Sequence, residues 1–130
     1  MILFGHRFIP SENFYHISSI DCIQRTPPSS TVCFEFNEEN LDIIAHVKAN
    51  GVAFALRVTN VTQLIYASSL GAKYAILLPK MAKTAQNIAE NYLFDMKILV
   101  LIEEEEEMEA LAILGVDGVI FANAIIKTNS

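Results

Sequence analysis

Short, continuous apolar runs recur about every 22 residues along this chain, and few folds can absorb such a pattern. The runs occupy 31–36, 53–58, 74–79, 97–102 and 118–122, and their starts are separated by 22, 21, 23 and 21 residues. A run of four to six apolar residues between turn signals reads as a strand buried on both faces. Between the runs lie segments with helical periodicity, such as Leu41, Ile43, Ile44 and Val47, or Ala85, Ile88, Ala89, Tyr92 and Leu93. Each places an apolar stripe against a sheet. Gly51, Gly71 and Gly115 follow three of these helices, where a left-handed residue ends a helix at least cost. The fourth unit has no such glycine and ends at Phe94-Asp95. Strands alternating with helices of this length predict parallel strands joined by right-handed crossovers.

The first thirty residues are less regular. Residues 2–5 and 14–17 are strand-like around the turn-forming Pro10-Ser11-Glu12-Asn13, which suggests an edge hairpin. Ser18 or Ser19 is expected to cap a short helix through Gln24 that ends before Pro27 and Pro28. The fold expected is thus one α/β domain over 1–130, with a mainly parallel sheet of five or six strands. The arrangement is expected to be open and flavodoxin-like, with a half TIM barrel completed by dimerisation as the alternative.

Bulk properties narrow the function classes. The chain is 52% hydrophobic with a mean hydropathy of +0.36, yet no apolar run approaches the ~18 residues a membrane span requires. The surplus is expected in buried strands or a subunit interface, so a homo-oligomer, most simply a dimer, or a protein partner is anticipated. A net charge of −6 without any Lys/Arg cluster opposes nucleic-acid and anionic-membrane partners. Cys22 and Cys33 fit no metal-ligand spacing and read as reduced core thiols. With an apolar start and no basic leader, they indicate a cytoplasmic protein.

Two stretches, QLIYASSLGAKYAILL at 63–78 and EEEEMEALAILGVDGVIFANAIIKT at 104–128, resemble the middle of phosphate-binding TIM-barrel enzymes of the indole-3-glycerol-phosphate synthase type. The similarity spans about residues 51–128 and implies a βα-barrel ancestry. It does not imply the activity. The family's catalytic glutamate falls on Leu101, its loop asparagine and arginine fall on Ala122 and Ala124, and its catalytic lysine falls near Val58, beside Arg57. The chain stops at Ser130, before the last two strands whose loops hold phosphate in such barrels.

In parallel α/β folds ligands lie beyond the carboxyl ends of the strands. The candidates there are His6, Arg7, Glu35, Asn37, Arg57, Thr59, Asn60, Lys80, Glu103 and Asn123. Glu35 and Arg57 stand one repeat apart in apolar strands, so matched register would pair them on one face; a charge in such a strand must be paired or used. A working version has Arg57 and Lys80 holding an anion, with Glu35 or His6 transferring protons; Arg7 and Asn123 are further ligand-binding candidates. His46 shares a polar helical face with Asp42 and Asn50, and His16 lies in a strand-like segment. The run from Glu103 to Glu107 falls where the last helix must begin and complements its dipole. A metal needs ligands converging from several elements, so no metal and no cofactor are expected. There is no phosphate-cradling glycine loop, no paired acidic residues of a receiver domain and no nucleophile elbow. The function expected is a non-catalytic module binding a small ligand or partner protein, the alternative being a small lyase or isomerase acting on a phosphorylated or carboxylated metabolite.

Overall fold

The computed structural model describes residues 1–128. Eight strands form one all-parallel sheet: β1 (Ile2–Phe4), β2 (Phe14–His16), β3 (Thr31–Glu35), β4 (Phe54–Arg57), β5 (Tyr74–Leu77), β6 (Lys97–Ile102), β7 (Gly118–Phe121) and β8 (Ile125–Lys127). Strands β2 to β7 lie side by side in chain order, with β1 outside β7 and β8 outside β2. Four helices connect the middle strands: α1 (Leu41–Ala49), α2 (Val61–Ser69), α3 (Ala82–Asn91) and α4 (Met108–Leu114). The five repeated strands fall where the apolar runs predict, three ending one residue early and the third, Tyr74–Leu77, two.

The expectation of an open sheet of five or six strands is corrected. A flavodoxin-like sheet carries helices on both faces and breaks chain order at a switch point. Here the order is continuous and the helices cover one face, where Ile43, Ile44, Leu64 and Leu111 pack on Val32, Leu56, Ile98 and Val119. The opposite face packs against itself, because alternate strand residues point away from the helices. Phe4 of edge strand β1 meets Phe14 of β2 at 4.9 Å, and both meet Tyr74 of the central β5, at 5.7 and 5.2 Å. A flat sheet cannot bring its edges and its middle together, so the sheet is curled, as in part of a barrel. Cys33, Ala55, Leu99 and Ile120 complete the interior, which the chain's own side chains fill.

The edge hairpin is likewise corrected. β1 and β2 do not pair with each other; β1 pairs in parallel with β7 and β2 with β3. The helix after Ser19 is a 3-10 helix, Ile20–Arg25, without a side-chain cap. Ser19 Oγ instead lies 3.4 Å from the buried Cys22 Sγ. Both cysteines are free and buried.

At the amino end of the curl, Asp117 ties three elements. Its carboxylate accepts from the Ile98 N–H (2.8 Å) and from Gln86 of α3 (3.2 Å), and its own N–H donates back to Gln86 (3.0 Å). Gly51, Gly71 and Gly115 adopt positive φ as predicted. In the unit lacking a glycine, Leu93 takes φ 54° itself and stands 85% exposed. A left-handed Cβ is strained, and this side chain buries nothing in return. Leu93→Gly is therefore expected to raise stability by about 0.5–1 kcal/mol after the entropy of a freer unfolded chain is subtracted. Denaturant titration checks it; a midpoint shift to lower denaturant would contradict it.

Candidate functional site at the mouth of the curl

Where the interior face reaches the carboxyl ends of the strands, the apolar side chains give way to polar ones. On β3 the sequence runs inward from Cys33 to Glu35, on β4 from Ala55 to Arg57, and on β2 from Phe14 to His16. Glu35 and Arg57 are direct register partners, as their one-repeat spacing predicts. Glu35 Oε1 lies 3.7 Å from Arg57 Nη1, and Oε2 lies 3.2 Å from His16 Nε2. His16 enters because β2 lies beside β3, a neighbour relation that its place in the sequence does not reveal.

Burial opposes ionisation of Glu35, but the hydrogen bond with His16, its own backbone N–H and the charges of His16 and Arg57 outweigh it, so its pKa sits below the ordinary glutamate value. Glu35 is a carboxylate at neutral pH and a weak proton acceptor there. A carboxyl group with a depressed folded pKa adds stability above its unfolded pKa and loses it as pH falls through the folded one. Glu35→Gln is therefore expected to flatten the acid limb of the stability profile, leaving the profile above neutral pH parallel to wild type. Thermal melts from neutral to acid pH check this; an unchanged acid limb would contradict it. Beneath, the Cys33 thiol is pushed up to about 12, chiefly by burial and further by Glu35. It stays protonated and is no nucleophile.

Beside Arg57 opens a cavity of about 320 Å³. Its polar lining is Glu35, Arg57, Thr59 and Gln63, and Ile76, Leu78 and Leu101 form apolar wall. The carboxamide oxygen of Gln63 accepts from the Thr59 N–H (2.9 Å) and hydroxyl (3.1 Å). Because a backbone N–H can only donate, the amide orientation is fixed and its NH2 remains as a donor at the cavity. Asn60 caps α2 by accepting from the Gln63 N–H (2.8 Å). The Asn60-x-x-Gln63 spacing is the sequence signal that places Gln63 in the first turn of α2. Arg57, 39% exposed, has Glu35 as its ionic partner at 3.7 Å, and its guanidinium makes no side-chain hydrogen bond within 3.5 Å among the described residues. Most of its five donors are uncommitted.

The other predicted residues lie elsewhere. His6, Arg7 and Asn123 line a second depression of about 440 Å³ with Glu103 to Glu106. There His6 Nε2 meets Glu105 Oε1 at 2.7 Å while Nδ1 accepts the Phe8 N–H at 3.1 Å. With Nδ1 accepting, Nε2 is the nitrogen that donates to Glu105. Arg7 Nη2 reaches the same carboxylate at 3.6 Å, and Asn123 donates to the Gly5 carbonyl at 2.9 Å, tying the β7–β8 turn to the end of β1. Glu107 accepts from the Glu103 and Glu104 N–H groups in a capping box, which lowers its pKa. Lys80 lies in an outer groove between α3 and α4 with Lys83 and Glu107, and His46 on α1. Glu35 and Arg57 are thus brought together, His6, Arg7 and Asn123 lie in a separate cluster, and Lys80 faces outward, so Arg57 and Lys80 do not share one anion site.

Among the described residues no group of three or more His, Cys, Asp or Glu is placed to hold a metal ion, and no helix is long and apolar enough to cross a membrane. Fold and site together define an α/β protein with a curled parallel sheet and a guanidinium at its carboxyl mouth. No protein-family model and no curated protein matches the chain.

Proposed function

We propose that this protein is a non-catalytic module that binds a small ligand with one anionic group and an apolar body at the mouth of its curled sheet. The observation that carries the reading is Arg57, a guanidinium with most of its donors free, set at a cavity with apolar walls. A planar fork of donors matches a carboxylate or phosphate bidentately. Gln63 adds a second donor.

Several features favour binding over turnover. The Glu35 carboxyl is a poor base, the Cys33 thiol is protonated, and His6 is committed to Glu105 in another depression. Catalysis needs a nucleophile or base converging with a stabiliser on one reacting atom. The same proposal takes the chain as a relative of phosphate-binding barrels that has lost their chemistry, since Leu101, at the position of the family's glutamate, forms cavity wall. Self-association is included: Tyr92, Leu93 and Ile113 present exposed apolar side chains at the ends of neighbouring helices.

A thermal-shift screen of small apolar carboxylates and phosphate esters tests the reading. At least one class is expected to raise the melting temperature of wild type and to lose that effect in Arg57→Ala. Stabilisation that persists in Arg57→Ala, or turnover of a screened compound, would overturn it.

A further inference from the structure

The cavity beside Arg57 carries one cation and one carboxylate, and this balance narrows what it can take. Among its lining residues the charged ones are Arg57 and Glu35. At 3.7 Å they lie beyond hydrogen-bond length, so each keeps bonding directions free on the side facing the cavity. His16 occupies Glu35 Oε2 and holds the carboxylate in place, leaving Oε1 as an oriented acceptor. A doubly charged phosphate on Arg57 would stand close to this ionised carboxylate and be repelled by it. A monoanion carrying its own positive charge satisfies both groups.

We infer that the occupant is an α-amino acid with an apolar side chain, its carboxylate on Arg57, its ammonium on Glu35 Oε1 and its side chain against the wall formed by Leu78 and Leu101. The inference rests on the anion-binding role assigned to Arg57 and adds the ammonium site. In an α-amino acid the two charges are separated by one carbon, which suits a carboxylate and a guanidinium held a few ångströms apart. The cavity, about 320 Å³, is at the small end of ligand sites and suits a molecule of this size. Leu78, 48% exposed in the free protein, is the apolar surface such a side chain would cover.

Isothermal titration calorimetry with three related probes tests this: L-leucine, 4-methylpentanoate, which lacks only the ammonium, and 3-methylbutyl phosphate, which replaces the zwitterion with a dianion. Leucine is expected to bind at least about tenfold more tightly than 4-methylpentanoate, as one charge-assisted hydrogen bond supplies. In Glu35→Gln that preference should vanish, with 4-methylpentanoate binding at least as tightly as to wild type because the repelling carboxylate is gone, and Arg57→Ala should lose both ligands. Equal binding of leucine and 4-methylpentanoate, or tighter binding of the phosphate ester, overturns the ammonium site and leaves the anion site standing. Absence of any Arg57-dependent binding by all three removes the anion site as well.

Discussion

Gly118→Ala is expected to cost the fold about 3 kcal/mol. A Cβ at this position would lie 2.7 Å from the Ile2 carbonyl oxygen and 2.8 Å from Leu99 Cδ2. Leu99 can rotate only within a filled interior, and the Ile2 oxygen is backbone, so β1 itself must move. The seating of β1 on β7 is what carries Phe4 into contact with Phe14 and Tyr74, and a displaced β1 loosens that aromatic cluster. Gly51→Ala is the control: nothing lies within 4 Å of its Cβ, so its cost is the left-handed backbone alone, about 1 kcal/mol. Denaturant unfolding of both variants gives the comparison. Equal midpoints would mean that β1 does not pack as described.

The second large effect concerns the site. Arg57→Ala is expected to weaken binding of an apolar anion roughly ten- to hundredfold, the equivalent of losing a charge-assisted hydrogen bond or a bidentate pair. Its effect on stability should be small. Arg57 is 39% exposed, its partner Glu35 is half exposed, and a pair of that kind contributes little in water. The size of the stability change, set beside the change in ligand affinity, separates a binding residue from a structural one. If Arg57 served only to neutralise Glu35, the substitution would leave a less favourable carboxylate, raise its pKa and lower stability, with ligand affinity unchanged.

Much of this was legible in the sequence, and the limits fall at identifiable residues. The 22-residue period places β3 to β7 and puts Glu35 level with Arg57, because a parallel sheet in chain order converts sequence spacing directly into register. Periodicity says nothing about strands whose partners are remote. Ile2 pairs with Gly118 and Phe14 with Ile125, each across more than a hundred residues, so residues 2–5 and 14–17 read as strands but not as strands at opposite ends of a curl. β8 was hidden for a second reason: only the three-residue turn Ala122–Ala124 separates it from β7, and a single Asn between two alanines is a weak turn signal. His16 joins the site through the parallel pairing of β2 with β3, where the sequence suggests a hairpin instead. Gln63 was reachable through the capping spacing after Asn60, a local signal. Lys80 illustrates the opposite failure. It follows a strand end, yet the 3-10 turn Pro79–Met81 carries it outside, into the groove between α3 and α4.

Heteronuclear NMR titration of the isotope-labelled protein with an apolar carboxylate is the most direct test that the mouth of the curl is a binding site. Shift changes are expected to concentrate at Glu35, Arg57, Thr59, Gln63 and Leu101, to saturate with one ligand, and to disappear in Arg57→Ala. Changes confined to the depression around His6 and Glu105, or unaltered by loss of Arg57, would contradict it.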